Sequence, residues 1–339
     1  MSERGAVLVT GGAGYIGSHA CKALARRGYR PVTLDSMING RADFVRWGPL
    51  IEGDIADAPL VLSILKRHGI ESALHFAALA EVEQSMREPA LYYENNLAKS
   101  IAFIGALTGG GIRRLVFSST CAVYGLADRR PIAEDLPPRP VNPYGESKLA
   151  VERMLEAYDR AYGLRSVSLR YFNAAGADPE GEIGEWPRRQ TRLIPRVIEA
   201  AMGSAPDLVI YGDDYPTRDG TAVRDYVHVE DIVEAHLRAL DYLGAGGETV
   251  ALNLGTGEGR SVREVLAAAE EVAGRQIPHR VAPRRAGDPP ELVADPRRAA
   301  ELLGWRPVRS ELGDIIGSAW RWQRGLAERA ATRREPPVP

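Results

Sequence analysis

The segment VLVTGGAGYIGSHACKAL, residues 7–24, decides the fold class of this 339-residue chain. It begins with an apolar, β-branched run that is typical of a buried parallel strand, and it continues as an amphipathic helical pattern. Between the two, Gly11, Gly14 and Gly17 allow a tight turn and a close approach of the backbone to a ligand. The N–H groups and the partial positive charge at the start of the helix favour a pyrophosphate. The segment therefore predicts a strand–turn–helix unit that binds a dinucleotide.

A second strand-like run, residues 31–34, ends in Asp35. An acidic residue at this point accepts hydrogen bonds from the ribose diol of NAD, and it repels the 2′-phosphate of NADP. The sequence therefore favours NAD as the cofactor.

Strand-like runs alternate with helical patterns along the first half of the chain. The strand-like runs are 7–10, 31–34, 73–77, 114–118 and 166–171, and the clearest helical patterns are 91–107 and 146–162. This alternation predicts an α/β fold with a doubly wound parallel Rossmann sheet. After Asn173, Gly- and Pro-rich loops alternate with short helices, which suits a smaller, discontinuous α/β substrate domain. Residues 223–240 again have the pattern of a strand and a helix that could rejoin the large sheet.

We therefore expect three regions. Residues 1–173 plus about 225–254 form the NAD-binding domain, and about 174–224 plus 255–330 form the substrate domain. The tail, residues 331–339, is polar, basic and Pro-rich, which is typical of a disordered segment.

Composition favours a cytoplasmic enzyme of about two domains. The chain is 45 % apolar, but it has no run near the roughly 18 apolar residues of a membrane span and no signal sequence at its N-terminus. Its two cysteines fall in different predicted elements, so we expect free thiols. Its six histidines lack ligand spacing, so we expect no metal. The formal charge of −2 gives no reason to expect nucleic acid as a partner.

The segment YGESK, residues 144–148, suggests acid–base chemistry. Tyr144 and Lys148 stand four residues apart at the start of a predicted helix, which places both side chains on one face. To act as a base at neutral pH, a tyrosine must lose roughly three pKa units, about 4 kcal/mol. A lysine ammonium and an oxidised nicotinamide both lower that pKa. The chain has only four lysines but 39 arginines, which disfavours the interpretation of a lysine at this position as an ordinary surface charge. The alternative is an exposed helix start at which Tyr144 and Lys148 contact only water.

Hydroxyl side chains follow the predicted strand at 114–118. Ser118, Ser119 and Thr120 lie where a parallel strand ends, which is the edge at which open α/β sheets bind ligands. Thr120 could bond a substrate hydroxyl beside Tyr144, whereas the alternative is a turn or a helix cap.

Several motifs resemble a known family. TGGAGYIG, SSTCAVYG and YGESK resemble the extended short-chain dehydrogenase/reductases, and DYPTRDGTAVRDYVHV, RYFNAAGADPEGEIGE, NLGTGEG and PRRAGDPP are similar to the UDP-glucose 4-epimerases within it. The resemblance runs from about Val7 to about Trp322. It implies that NAD stays bound while C4 of a UDP-sugar is oxidised to a ketone, the sugar rotates, and hydride returns to the opposite face. UDP-glucose and UDP-galactose are the implied substrates.

The resemblance also implies roles for individual residues. Tyr144 is the base, Thr120 orients the 4-oxygen, and Lys148 grips the nicotinamide ribose and lowers the tyrosine pKa. The implied cofactor contacts are Gly11, Gly14, Tyr15, Ile16, Gly17, Asp35, Ser36, Asn39, Asp54, Ile55, Phe76, Ala77, Ala78, Asn95, Ser118, Tyr144, Lys148 and Phe172. The implied substrate contacts are Thr120, Asn173, Arg192, Leu193, Tyr211, Arg224, Arg285, Asp288 and Leu292, in which the guanidinium groups of residues 224 and 285 suit a diphosphate. Family members often form homodimers, and the helical patterns at 91–107 and 146–162 are the candidate interface.

Four positions depart from the family pattern. Ala80 replaces a polar residue near the cofactor, Lys99 replaces a glycine after Asn-Asn, and Arg192 replaces an asparagine or histidine near the uridine. Leu292 stands where some members have a tyrosine against the 2-substituent of the sugar, which could leave room for N-acetylhexosamines.

Other activities share this machinery. A sugar-nucleotide 4,6-dehydratase needs an acid and a base directly after Thr120, where this chain has Cys121 and Ala122. A 4-epimerase of UDP-N-acetylglucosamine, UDP-xylose/arabinose or UDP-glucuronate remains open, and Arg192 could serve a carboxylate. A non-catalytic NAD-sensing protein is the other alternative, which the presence of Thr120, Tyr144 and Lys148 together disfavours.

Overall fold

The computed structural model describes residues 4–127, 129–186, 192–204, 208–285 and 288–332. Of these, residues 330–332 are described by their backbone only. Its strands are β1 Ala6–Thr10, β2 Arg30–Asp35, β3 Leu50–Glu52, β4 Ile70–His75, β5 Arg114–Thr120, β6 Arg165–Tyr171, β7 Asn173–Ala175, β8 Leu208–Tyr211, β9 Val223–Arg224, β10 Tyr226–His228, β11 Val250–Leu254, β12 Arg260–Ser261, β13 His279–Ala282 and β14 Glu291–Leu292. Its α-helices are α1 Tyr15–Arg26, α2 Ala58–His68, α3 Val82–Arg87, α4 Pro89–Tyr92, α5 Lys99–Gly109, α6 Pro143–Tyr162, α7 Leu193–Met202, α8 Val229–Gly244, α9 Val262–Ala273, α10 Arg297–Leu303 and α11 Leu312–Thr332.

A seven-stranded parallel sheet contains β1 to β6 and, at one edge, β11 from the second half of the chain. The strand order is β11-β6-β5-β4-β1-β2-β3, and every neighbouring pair is parallel. In β1, Val7 and Val9 pack into a core with α1, α8 and α10, whereas Ala6 and Leu8 pack into the opposite core with α2, α5 and α6. Because both faces are covered, a central strand must be apolar throughout. The predicted α/β fold with a doubly wound Rossmann sheet is confirmed.

A second core lies among the elements that follow β6. Helices α7, α9 and α11 pack around Ile194, Val265 and Ile315. Short strand pairs border this core: β8 pairs with β13, and β9 lies between β12 and β14. These pairs bring segments that are far apart in sequence to the side of the large sheet where its strands end.

The prediction that a strand in 223–240 could rejoin the large sheet is wrong. Tyr226–His228 pairs instead with Asn173–Ala175. The outer edge of β6 is already taken by β11, so no position beside it is open. Helix α8, which follows, does pack against β5 and β6.

Two other boundaries differ from the sequence pattern. Strand β4 covers 70–75 rather than 73–77, because the chain leaves the sheet at Phe76 and passes over the glycine turn. The predicted helix at 91–107 is three consecutive segments: α4, a π-helical segment at Tyr93–Ala98, and α5. Residues 333–339, most of the predicted disordered tail, lie outside the described residues, and the last helix reaches Thr332.

A buried lysine joins α1 to the segment after β7. Lys22 Nζ lies 2.8 Å from Asp178, 2.9 Å from Glu180 and 2.5 Å from Glu182. In the described part of the chain, these three carboxylates are the only group with the spacing of a metal site, and the Lys22 ammonium already lies within ion-pair distance of all three. Among the described helices, none combines the length and hydropathy that a bilayer crossing requires.

Candidate active site

The glycine turn after β1 is built for close approach. Gly11 has a φ of +71°, and a Cβ there would stand 2.7 Å from the amide nitrogen of Ala77. A Cβ on Gly17 would stand 2.2 Å from the carbonyl oxygen of Gly11. The N-cap of α1 is Gly14, which has no side chain to bond the N–H groups of the first turn. Those N–H groups at Tyr15 and Ile16 therefore fit the pyrophosphate of a dinucleotide.

Asp35 ends β2 beside this turn. Its Oδ2 accepts a hydrogen bond from the amide of Ala13 at 3.0 Å, and its Oδ1 accepts one from the amide of Met37 at 2.9 Å. Burial raises the pKa of this carboxyl, while the two amide hydrogen bonds oppose that shift. The backbone thus fixes the orientation of the carboxylate, and free lone pairs remain for a ribose diol. Ser36 and Asn39 follow in the same loop.

Two of the implied cofactor contacts, Asp54 and Ile55, lie beside Lys99, one of the departures from the family pattern. Lys99 Nζ lies 2.6 Å from Asp54 Oδ2, and Asp54 Oδ1 accepts from the amide of Ala56 at 2.9 Å. Ile55, the next residue, is buried in the core. Lys99 therefore neutralises a predicted cofactor contact rather than standing free in solvent.

The loop after β4 carries Phe76, Ala77 and Ala78, and it is held by a residue that the sequence analysis did not select. Asn96 lies in the π-helical segment, where its amide brackets Leu79 by accepting from the backbone N–H and donating to the carbonyl, both at 2.9 Å. Its neighbour Asn95, a predicted cofactor contact, donates to Asn96 Oδ1 at 3.0 Å. π-Helical turns often mark functional sites, and the Asn-Asn pair was the available signal.

Tyr144 and Lys148 share one face of α6, as the spacing predicts. Asn142 caps this helix by accepting from the amide of Gly145 at 2.8 Å, and Pro143 occupies its first turn. A Cβ on Gly145 would stand 2.6 Å from the carbonyl oxygen of Ala122. The glycine inside YGESK therefore lets the start of α6 press against the 3-10 turn Cys121–Tyr124 that directly follows β5.

That contact brings the predicted catalytic residues together. Lys148 Nζ donates to the carbonyl oxygen of Ser118 at 2.8 Å, and the hydroxyls of Ser118 and Tyr171 are hydrogen-bonded. The Tyr144 hydroxyl interacts with the side chain of Thr120, and Thr120 Oγ1 accepts a hydrogen bond from the amide of Ala122 at 3.1 Å. Phe172 follows β6 and is buried nearby. Thr120, Tyr144 and Lys148 thus form one cluster.

Burial controls the charges of this cluster. It raises the pKa of Tyr144 well above the usual range, and the hydrogen bond with Thr120 opposes it only in part. It also lowers the pKa of Lys148 to about 7, against the charge of Glu152. The protein groups alone therefore do not produce the low tyrosine pKa that a base needs. The positive charge of an oxidised nicotinamide acts in the required direction.

The predicted substrate residues approach from the short strands. Arg224 forms an ion pair with Asp288, and Leu292 faces it in the pairing of β9 with β14. The Arg285 guanidinium lies 4.0 Å from the centre of the Tyr211 ring. These contacts hold two arginines and an acidic residue on the side of the site that the second core supports.

Two further predicted substrate contacts, Arg192 and Leu193, lie at the start of α7. Arg192 occupies the N-cap position of α7, directly before Leu193, and its Nη2 lies 2.8 Å from Glu185 Oε1. The Arg192 guanidinium also lies 5.7 Å from the centre of the Tyr15 ring. Arg192 therefore stands between the cofactor turn and the substrate side, and a carboxylate partly compensates its charge.

Asp225 is a buried hub that the sequence analysis missed. Its Oδ1 accepts from the amide and hydroxyl of Thr256, both at 2.8 Å, and its Oδ2 accepts from the amides of Gly257 and Ala294, both at 3.2 Å. Burial raises its pKa to about 6, against these hydrogen bonds. Its backbone also bonds Asn173 and Leu292, so this one residue joins three segments that carry predicted substrate contacts.

Comparison with known proteins decides the family. Residues 7–255 match the family model described as the NAD dependent epimerase/dehydratase family. The chain belongs to this family.

Similarity within the family is high and covers nearly the whole chain. The UDP-glucose 4-epimerase of Rhizobium leguminosarum bv. trifolii is 52 % identical over 93 % of this chain and 96 % of the relative. The UDP-glucose 4-epimerase of Azospirillum brasilense is 48 % identical over 95 % of this chain and 93 % of the relative. A solved UDP-glucose 4-epimerase from Brucella ovis, in complex with NAD, superposes with a TM-score of 0.92 at 47 % identity and covers 94 % of this chain and 98 % of that one.

A second solved structure in the family shows a bound nucleotide sugar. The UDP-glucose 4-epimerase from Stenotrophomonas maltophila, with bound NAD and formylated UDP-arabinopyranose, superposes with a TM-score of 0.93 at 41 % identity. It covers 96 % of this chain and 100 % of that one. The resemblance inferred from the motifs is confirmed.

The position of Asp225 in this family site leads to a prediction. In Asp225→Asn, an amide NH2 would face the N–H groups of Gly257 and Ala294, so donors would meet donors. We expect KM for the nucleotide sugar to rise about tenfold, because roughly one hydrogen bond to a charged group is lost where the substrate segments meet. Steady-state kinetics measure this change.

The control for this prediction is Asp213→Asn, an exposed substitution in the loop after β8. We expect kcat of Asp225→Asn to change much less than KM, since Tyr144 and Thr120 lie on other segments. An unchanged KM would remove Asp225 from the assembly of the substrate side.

Proposed function

We propose that this chain interconverts UDP-glucose and UDP-galactose by NAD-dependent epimerisation at C4. The observation that carries the proposal is the cluster of Thr120, Tyr144 and Lys148 at the end of β5, in a chain about half identical to relatives named UDP-glucose 4-epimerase. The glycine turn and Asp35 fit NAD, which supplies a hydride acceptor that also returns the hydride. No net oxidation or reduction results.

Each residue has a defined task in this proposal. The Tyr144 oxygen takes the proton from the 4-hydroxyl of the sugar and later gives it back, while Thr120 holds the sugar 4-oxygen in place. Lys148 bonds the ribose on the nicotinamide side of the cofactor, and its charge favours the tyrosinate. Arg224 and Arg285 bind the diphosphate, which anchors the nucleotide while the keto sugar turns over.

Two observations bear on the choice of sugar. Leu292, half-buried beside Arg224, is smaller than a tyrosine, which favours UDP-N-acetylglucosamine as an additional substrate. Arg192, the candidate partner for a uronate carboxylate, is already paired with Glu185, which disfavours UDP-glucuronate. UDP-xylose and UDP-arabinose use the same C4 chemistry and are further candidates. The complete catalytic cluster disfavours a non-catalytic NAD sensor.

The assembly and location are also proposals. We propose a cytoplasmic homodimer whose interface includes the π-helical segment Tyr93–Ala98, α5 and α6, because Tyr93, Ile101 and Tyr162 expose large apolar side chains there. The net charge of −2 gives no support to a nucleic-acid partner. Light scattering of the purified protein should give twice the chain mass of 36.9 kDa, and a monomer mass would contradict the proposal.

The activity is tested without added cofactor. Purified protein incubated with UDP-galactose should form UDP-glucose, followed by proton NMR, because NAD remains bound through the cycle. Protein that contains NAD but gives no product would contradict the proposal. A parallel incubation with UDP-N-acetylglucosamine tests whether the enzyme also accepts N-acetylated sugars. Absence of turnover in that incubation would exclude this additional substrate.

The base is tested with Tyr144→Phe. Removing one general base typically costs about 10²–10⁴-fold in rate, so we expect a loss of kcat in that range with bound NAD retained. The matched control is Tyr158→Phe, a half-buried tyrosine on the same helix that packs against the core, which should keep wild-type turnover. Unchanged turnover in Tyr144→Phe would remove this tyrosine from the mechanism.

A further inference from the structure

Lys148 is buried beneath the protein surface, and burial disfavours the charged form of its ammonium group. Its side chain is 3 % exposed, and its Nζ donates to the carbonyl oxygen of Ser118 and lies 4.8 Å from the centre of the Phe117 ring. Burial lowers its pKa to about 7, so near neutrality the ammonium is only partly populated. A role that depends on a charged Lys148 therefore needs a nearby negative group.

Glu152 stands four residues after Lys148 on α6 and therefore on the same face of the helix, and among the described residues it is the acidic group whose charge raises the pKa of Lys148. The other titratable groups around the lysine do not supply a negative charge. Tyr144 on the same helix is neutral because burial raises its pKa, and His75 on β4 is neutral because burial and the Lys148 charge lower its pKa to about 3. Arg170 on β6 is a cation that faces Glu152.

Glu152 is itself buried and firmly held. Its side chain is 4 % exposed, and its Oε1 and Oε2 lie 3.0 and 3.2 Å from Arg170 Nε. Arg170 continues the network by donating to the Tyr124 hydroxyl at 2.8 Å, which donates to Asn253 Oδ1 at 2.8 Å. The network joins α6 to β5, β6 and β11. It lies beneath the catalytic cluster, outside every residue set considered from the sequence.

Glu152 also reaches the end of β5 directly. Its Oε1 accepts a hydrogen bond from the hydroxyl of Ser119. Ser119 stands between Ser118, whose carbonyl accepts a hydrogen bond from Lys148, and Thr120, whose side chain interacts with Tyr144. A displacement of Ser119 would therefore move both neighbours.

We propose that Glu152 is a positioning residue that keeps the Lys148 ammonium charged and holds Ser119 so that Thr120 stays in register with Tyr144. The inference rests on the proposed epimerase function, in which a charged Lys148 favours the tyrosinate. The competing interpretation is that Glu152 and Arg170 are a structural ion pair that only fastens α6 to β6.

The pH dependence of kcat separates the two interpretations. A protonated Lys148 is present below its pKa and is lost as pH rises through it, so turnover should fall on the alkaline side. In Glu152→Gln the lysine loses its negative neighbour, its pKa falls, and the alkaline limb should move to lower pH by about one unit, the scale of a nearby charge. The ratio of kcat at pH 6 to kcat at pH 8 should therefore rise several-fold.

A second variant guards against a simple loss of folding. Glu152→Gln leaves Arg170 buried and unpaired, which is strongly destabilising. The double variant Glu152→Gln/Arg170→Met removes both charges and should recover much of the thermal stability. The alkaline limb should stay shifted in the double variant, because Lys148 still lacks its carboxylate.

The controls complete the experiment. Glu156→Gln removes an exposed carboxylate one turn further along the same helix, and it should keep the wild-type pH profile. Glu152→Asp should return part of the shift. An alkaline limb that stays at the wild-type pH in both Gln variants would overturn the inference. Absence of UDP-galactose turnover by the wild-type protein would instead contradict the proposed function.

Discussion

The contact between the start of α6 and the turn that directly follows β5 is the constraint on which the site depends. Gly145 allows it, since any side chain there would collide with the carbonyl of Ala122. The contact buries Tyr144 and Lys148 together beside Thr120, in surroundings that disfavour both the tyrosinate and the ammonium. The positive charge of an oxidised cofactor would offset the cost of the tyrosinate. The buried carboxylate that we propose to offset the cost of the ammonium is Glu152. The same burial that makes the resting tyrosine a weak acid makes its protonation state responsive to the cofactor.

The rest of the structure brings a substrate to that contact. The cofactor turn is shaped by Gly11 and Gly17, which no side chain can replace without collision. On the opposite side, Asp225 joins the backbone of Asn173 and Leu292 to the loop at Thr256. A nucleotide sugar anchored at its diphosphate by Arg224 and Arg285 would leave its hexose ring free to rotate. An epimerase needs this combination of a fixed nucleotide and a mobile sugar.

Local patterns in the sequence were enough to predict the parts of the site that are encoded locally. The glycine turn, the acidic residue at the end of β2 and the Tyr-Lys pair each lie within a few residues, and turn or helix geometry alone places their side chains. The Glu152–Arg170 pair, the Lys22–Asp178 pair and the Asp225 hub join residues far apart in the chain. Their partners depend on which strands become neighbours, as the pairing of β10 with β7 illustrates. No periodicity in one segment contains that information.

The central claim is that hydride leaves C4 and returns to C4 within one site. UDP-galactose that carries deuterium at C4 tests it most directly, with turnover in ordinary water and product analysis by NMR and mass spectrometry. We predict UDP-glucose that retains the deuterium at C4, because the cofactor holds it away from solvent between the two transfers. Product with hydrogen from water at C4 would contradict the account, since it would require removal of C4–H as a proton.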